Sequence, residues 1–128
     1  MTTAAAIVFA VVTVGVIPFQ IALALGAPWG EYAMGGRFPG RYPPGMRVAA
    51  VGQAVLLVVL PVDVLSEAGL LVPDVAQTLP WLVWVAVAIS VASVVLNVIT
   101  PSAGERRIWV PVTEVMLVCS LFVALTAA

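Results

Sequence analysis

Residues 79–100 read LPWLVWVAVAISVASVVLNVIT, twenty-two positions without a charge. At a helical rise of about 1.5 Å per residue, that run crosses a hydrocarbon core of roughly 30 Å. Trp81 and Trp84 stand at its start, where amphipathic rings settle into the headgroup layer. Pro101 follows and disfavours helical geometry at Thr100, so the span ends there. Before Thr100, only Ser90, Ser93 and Asn97 interrupt the apolar side chains, and with Ala86 they fall at spacings of four, three and four. That is one helical stripe of small and polar residues, the kind that lets helices approach closely in lipid.

Three more stretches repeat the pattern, over about residues 5–25, 47–66 and 108–126. The chain of 128 residues is 63% apolar and 9% charged, with a mean hydropathy of +1.20. Soluble domains carry about 25% charged residues, and a fold this short leaves much of its surface exposed. Lipid must therefore solvate most of this surface. The expected fold is an all-α, four-transmembrane-helix bundle in one domain covering residues 1–128. The first stretch has a competing reading, because Ala22-Leu23-Ala24 resembles a signal cleavage site. Its N-region has no Lys or Arg and its apolar run exceeds a signal core, so a retained span is expected.

All five basic residues, Arg37, Arg41, Arg47, Arg106 and Arg107, fall around two connections, residues 26–46 and 101–107, and there is no lysine. Short loops rich in Arg and Lys stay in the cytoplasm. An even number of spans then puts both termini on the extracytoplasmic side. The connection at 69–80 carries no basic residue. In the tight turn at 101–107, Ser102 and Glu105 form a capping-box pattern for the fourth helix.

The longer arginine-bearing loop reads GAPWGEYAMGGRFPGRYPPGM and holds six of the ten glycines and four of the ten prolines. Neither helix nor strand persists through that density of breakers. Its aromatic residues suit the interface, and Trp29, Tyr32, Arg37 and Arg41 form a candidate partner-contact loop.

One polar side chain interrupts each span near the arginine end: Gln20, Gln53, Asn97 and Glu114. Counted along the helices, each lies roughly 6–9 Å inside the boundary. Polar groups facing lipid are costly, so the four are expected to turn inward as a polar layer and satisfy one another. The bland reading of the amides is interhelical hydrogen bonding, worth about 0.6–2 kcal/mol each. Glu114 is the stronger site candidate, because a carboxylate inside a span marks function by default. Asp63 and Glu67, four apart near the other end, form a candidate outer acidic pair, or simply an interfacial helix end. Pro18 and Pro61 interrupt their spans and favour kinks, whereas Pro111 lies near an expected helix start.

Several chemistries are excluded. The absence of histidine removes His-based acid–base, triad and metal chemistry, and no catalytic, cofactor-binding or metal site is expected. No phosphate-binding Gly-Lys-Ser/Thr loop occurs. Five arginines in two connections are too few for a nucleic-acid face. Cys119 cannot form an internal disulfide and reads as a small buried residue.

The segment Gly26-Ala27-Pro28-Trp29-Gly30 with Gly35-Gly36, and Ile99-Thr100-Pro101-Ser102 followed by Glu105-Arg106, resembles those of a family of small bacterial four-span integral membrane proteins. The resemblance implies the four-span fold and a bacterial cytoplasmic membrane; it implies no activity, ligand or catalytic residue. The leading expectation is a non-enzymatic accessory or scaffold protein. Its partners would be the lipid bilayer and a membrane protein or a second copy of the chain, met through the long loop. An oligomeric transporter or channel subunit using the polar layer for a small polar or cationic solute is the alternative. A membrane enzyme working with a carboxylate and arginines is the third.

Overall fold

The computed structural model describes residues 1–127, and every described element is helical. Four helices are long and apolar enough to cross a membrane: α1 (Thr2–Ala24), α2 (Pro44–Glu67), α4 (Leu82–Ile99) and α5 (Ala103–Ala127). A short α3 (Pro73–Thr78) lies in the connection after α2. The chain is therefore a multi-pass membrane protein by length and composition of its helices.

The helix starts follow local chemistry. Pro44 stands in the first turn of α2, where its missing N–H costs nothing, so that helix begins before Arg47. Pro73 does the same for α3, with Asp74 in the favourable first turn. The fourth span begins at Ala103 rather than near Ile108, because Ser102 Oγ accepts from the Glu105 amide at 3.2 Å and caps it. Pro111 consequently lies inside α5. The α1 and α2 helices continue through Pro18 and Pro61.

Neighbouring helices run antiparallel. Thr2 Oγ1 and Thr126 Oγ1 share a hydrogen bond of 2.6 Å, which puts the start of α1 and the end of α5 at the same end of the bundle. The hairpin α1–α2 joins the hairpin α4–α5 through α1 against α5. Between α2 and α4 the seam is loose.

That seam is tight at one end only. Ala6 and Phe9 meet Leu60, Val64, Val83, Ala86, Val87, Met116, Val123 and Ala124 in a core drawn from all four long helices. Buried hydroxyls there bond their own helix, as Thr13 does to Phe9 O (2.9 Å) and Ser90 to Ala86 O (2.9 Å). Toward the arginine end the core shrinks to Leu23, Tyr42 and Ala50, supported by Phe19, Ala33, Phe38 and Met46. All of that second cluster belongs to α1, α2 and the loop between them, so α4, which packs on α5, takes no part in it.

Candidate functional site

The loop at 25–43 is folded, with two single-turn 3-10 helices, Gly30–Tyr32 and Met34–Gly36. Its neck closes where the Gly30 amide donates to Gly40 O at 2.9 Å. Glycine is obligatory at position 30, because a Cβ would collide with the Phe38 carbonyl oxygen. The loop then lies across the end of the bundle. Trp29 stacks on Phe19 of α1, with ring centroids 6.2 Å apart and an interplanar angle of 6°. Phe19 in turn meets Trp109 of α5 at 4.8 Å. Trp109 Nε1 donates to Tyr32 O at 2.7 Å, and Ser102 Oγ donates to Glu31 O at 2.8 Å. The Tyr32 ring covers Gly104 so closely that a Cβ there would lie 2.7 Å from it.

Glu105 is the knot of this arrangement. It is 7% exposed, and its Oε2 accepts from the Gly35 amide at 2.9 Å and from Thr100 Oγ1 at 3.0 Å. A charge-assisted bond of this type is worth about 1.5–3 kcal/mol. Half of the capping box forms, since Ser102 caps the helix. The carboxylate does not return to the Ser102 amide, which donates instead to Thr100 Oγ1 at 3.3 Å. Glu105 binds the loop instead, across α2, α3 and α4 in sequence. Arg106 reaches back to Thr100 O, and Arg47 Nε holds Tyr42 O at 2.9 Å.

Between this lid and the closed core lies a cavity of about 650 Å³. That is within the range of small-molecule sites, roughly 300–1,000 Å³. Val16, Phe19, Leu57, Leu96, Val112 and Met116 supply apolar wall. Glu105, Tyr42, Arg37, Thr113, Ser93 and three span amides supply polar groups. Leu96 and Ile99 of α4 and Ala49 and Gln53 of α2 line the cavity and are exposed, so it opens sideways through the loose seam. Tyr42 is 3% exposed, and burial raises its hydroxyl pKa above the ordinary 10.0, with the Glu105 charge adding to the rise.

The residues singled out in the sequence separate into two groups. Gln20, Gln53 and Asn97 line this cavity together. They do not hydrogen-bond one another among the described residues; Asn97 Nδ2 donates to Ser93 O at 2.7 Å in its own helix. Glu114 lies outside the lining, exposed on α5. The face of α5 that lines the cavity carries Glu105, Trp109, Val112, Thr113 and Met116. Glu114 is nine residues beyond Glu105, about half a turn away at 100° per residue. The polar layer at this depth is thus three amides, and the buried carboxylate beside it is Glu105, which spacing on α5 could have identified. Asp63 and Glu67 are half-buried on α2, outside the cavity. Of the loop residues, Tyr32 and Arg37 line the cavity, Trp29 is stacked on the bundle, and Arg41 is exposed. Among the described residues, no group of His, Cys, Asp and Glu has the geometry to hold a metal ion. Comparison with known proteins finds no matching family model, no matching curated protein and no matching solved structure.

Proposed function

We propose that this multi-pass membrane protein works by binding: it holds an amphipathic molecule dissolved in the bilayer, and does no chemistry on it. The observation that carries this reading is the cavity's form. It has apolar walls, a polar end under a folded lid, and a side opening between α2 and α4 at the level of the spans. An amphiphile enters such a site sideways, leaving its apolar part in lipid and bringing its head to the buried polar groups. Transport across the bilayer has less support, because Phe9, Val64, Val83 and Val123 are fully buried in the closed half.

Native mass spectrometry of the gently solubilised protein tests the binding reading. The wild type carries a lipid-sized adduct, and Ala49→Trp, which fills the side opening, loses it. A wild type with no adduct, and none acquired from added lipids, sinks the reading. Service to a membrane protein partner is a second reading, favoured by exposed Gly45, Ala49 and Gly52 on α2, where small residues permit close helix approach. Its signature in the same spectrum is a protein mass in place of a lipid mass.

The arginine-bearing end is cytoplasmic in this proposal, with both termini outside. The charge count supports it: five basic residues border the two connections at this end and none borders the other. The resemblance to small bacterial four-span proteins supports a bacterial cytoplasmic membrane. An impermeant maleimide should label Arg41→Cys in a Cys119→Ser background only after the cells are permeabilised; labelling of intact cells reverses the orientation.

A further inference from the structure

Resting on that reading of the cavity as an amphiphile site, we infer that its ligand is a zwitterionic aminophospholipid. Its primary ammonium would sit on Glu105 and its phosphate on Arg37.

The buried end of the cavity is rich in acceptors. Both hydrogen bonds of Glu105 run to Oε2, which leaves Oε1 with its full acceptor capacity in a side chain that is 7% exposed. Tyr42 is 3% exposed, and its hydroxyl makes no hydrogen bond among the described residues. Asn97 has committed its Nδ2 to Ser93 O, so Oδ1 is the free half of that amide. All three residues line the cavity. Three acceptors around a pocket suit a group with three N–H donors and a positive charge, which is a primary ammonium.

Charge points the same way. Among the described residues no basic group lies within 4.0 Å of the Glu105 carboxylate, and no acidic group lies that near the Arg37 guanidinium. The Glu105 carboxylate is held by the Gly35 amide and the Thr100 hydroxyl, and a bound cation would add the counter-ion it lacks. Arg37 lines the same cavity and is exposed, so the positive group lies at the rim and the negative group inside. A zwitterion with its ammonium leading and its phosphate behind matches this order. An anionic lipid head without an ammonium would place its charge beside Glu105. The cavity is too small for a whole two-chain lipid, so the tails leave through the α2–α4 seam past Leu57 and Leu96.

The test is a lipid titration of the full-length chain in mild detergent, read by native mass spectrometry. The probes are dioleoyl phosphatidylethanolamine, phosphatidylcholine and phosphatidylglycerol. The wild type should bind the ethanolamine lipid about tenfold tighter than the glycerol lipid, the scale of one charge-assisted hydrogen bond. The choline lipid should also bind more weakly than the ethanolamine lipid, because its nitrogen has no N–H. Glu105→Gln should bring the ethanolamine lipid down to the glycerol lipid, and Arg37→Gln should weaken both. Equal binding of the three lipids to the wild type overturns the inference and needs no variant, so misfolding of Glu105→Gln cannot rescue it. If equal binding is abolished by Ala49→Trp, the head group is misassigned and the cavity reading stands. Binding that survives Ala49→Trp, or no binding at all, removes the cavity reading and this inference with it.

Discussion

The two ends of this bundle are crossed by the same four long helices and behave differently. At the closed end, α1, α2, α4 and α5 all contribute apolar side chains to one contact, and Phe9, Val64, Val83 and Val123 are fully buried. At the arginine end the helices part, and a 19-residue segment, 25–43, fills part of the space. Packing holds the first end. Directional polar contacts hold the second: Glu105 to Gly35, Trp109 to Tyr32 and Ser102 to Glu31. In lipid the difference matters, because apolar surface gains little from leaving hydrocarbon for protein, so close packing and hydrogen bonds carry the association. An end held by packing is closed. An end held by a lid can keep a cavity.

The largest effect should come from breaking the lid at its neck. Gly30→Ala places a methyl group against the Phe38 carbonyl, which cannot move without opening the Gly30–Gly40 closure. A cost of about 3 kcal/mol or more is expected, in the range of steric and backbone mechanisms. It should appear as a lowered thermal midpoint in detergent and as fast hydrogen exchange confined to residues 25–43. A variant with wild-type exchange in that segment would show that the lid is not held as described.

Next in size is a packing comparison between the ends. Phe9→Ala empties space in the closed core, where cavity formation costs about 24 cal/mol per Å³, so roughly 2–3 kcal/mol is expected. Leu96→Ala trims an exposed wall of a cavity that already exists, and should cost below about 0.5 kcal/mol. Melting both variants at one lipid-to-detergent ratio checks this, and equal losses would erase the distinction between the ends.

The closed end was the more legible in the sequence. Apolar runs of helical length mark four spans, and the stripe of Ala86, Ser90, Ser93 and Asn97 marks the inward face of α4. Helix starts were displaced by local chemistry, as when Ser102 opens α5 ahead of the charged first turn. The arginine end was legible in part. Depth alone placed Gln20, Gln53 and Asn97 at one level, but depth does not give the angle around a helix, and Glu114 points elsewhere. Glu105 looked like a local cap because its partner, the Gly35 amide, lies seventy residues earlier in the chain. The folded lid was hidden for the same reason. Its glycines and prolines rule out regular elements, and its shape depends on contacts with Phe19, Gly104 and Trp109 that no local pattern announces.

The smallest effects concern single hydrogen bonds, and they sharpen the contrast most directly. Trp109→Phe keeps an aromatic ring beside Phe19 and removes the Nε1 bond that ties α5 to the lid at Tyr32 O. The carbonyl loses its partner, so about 1 kcal/mol is expected, with faster exchange at the neighbouring loop amides. Ser90→Ala removes a fully buried hydroxyl at the closed end, but that hydroxyl bonds Ala86 O within its own helix. The Ala86 carbonyl keeps its backbone partner, so the loss should stay within about 0.5 kcal/mol. The Trp109 bond joins separate elements, whereas the Ser90 bond stays within one helix. A Ser90→Ala loss equal to that of Trp109→Phe would mean that the hydroxyl bridges helices after all.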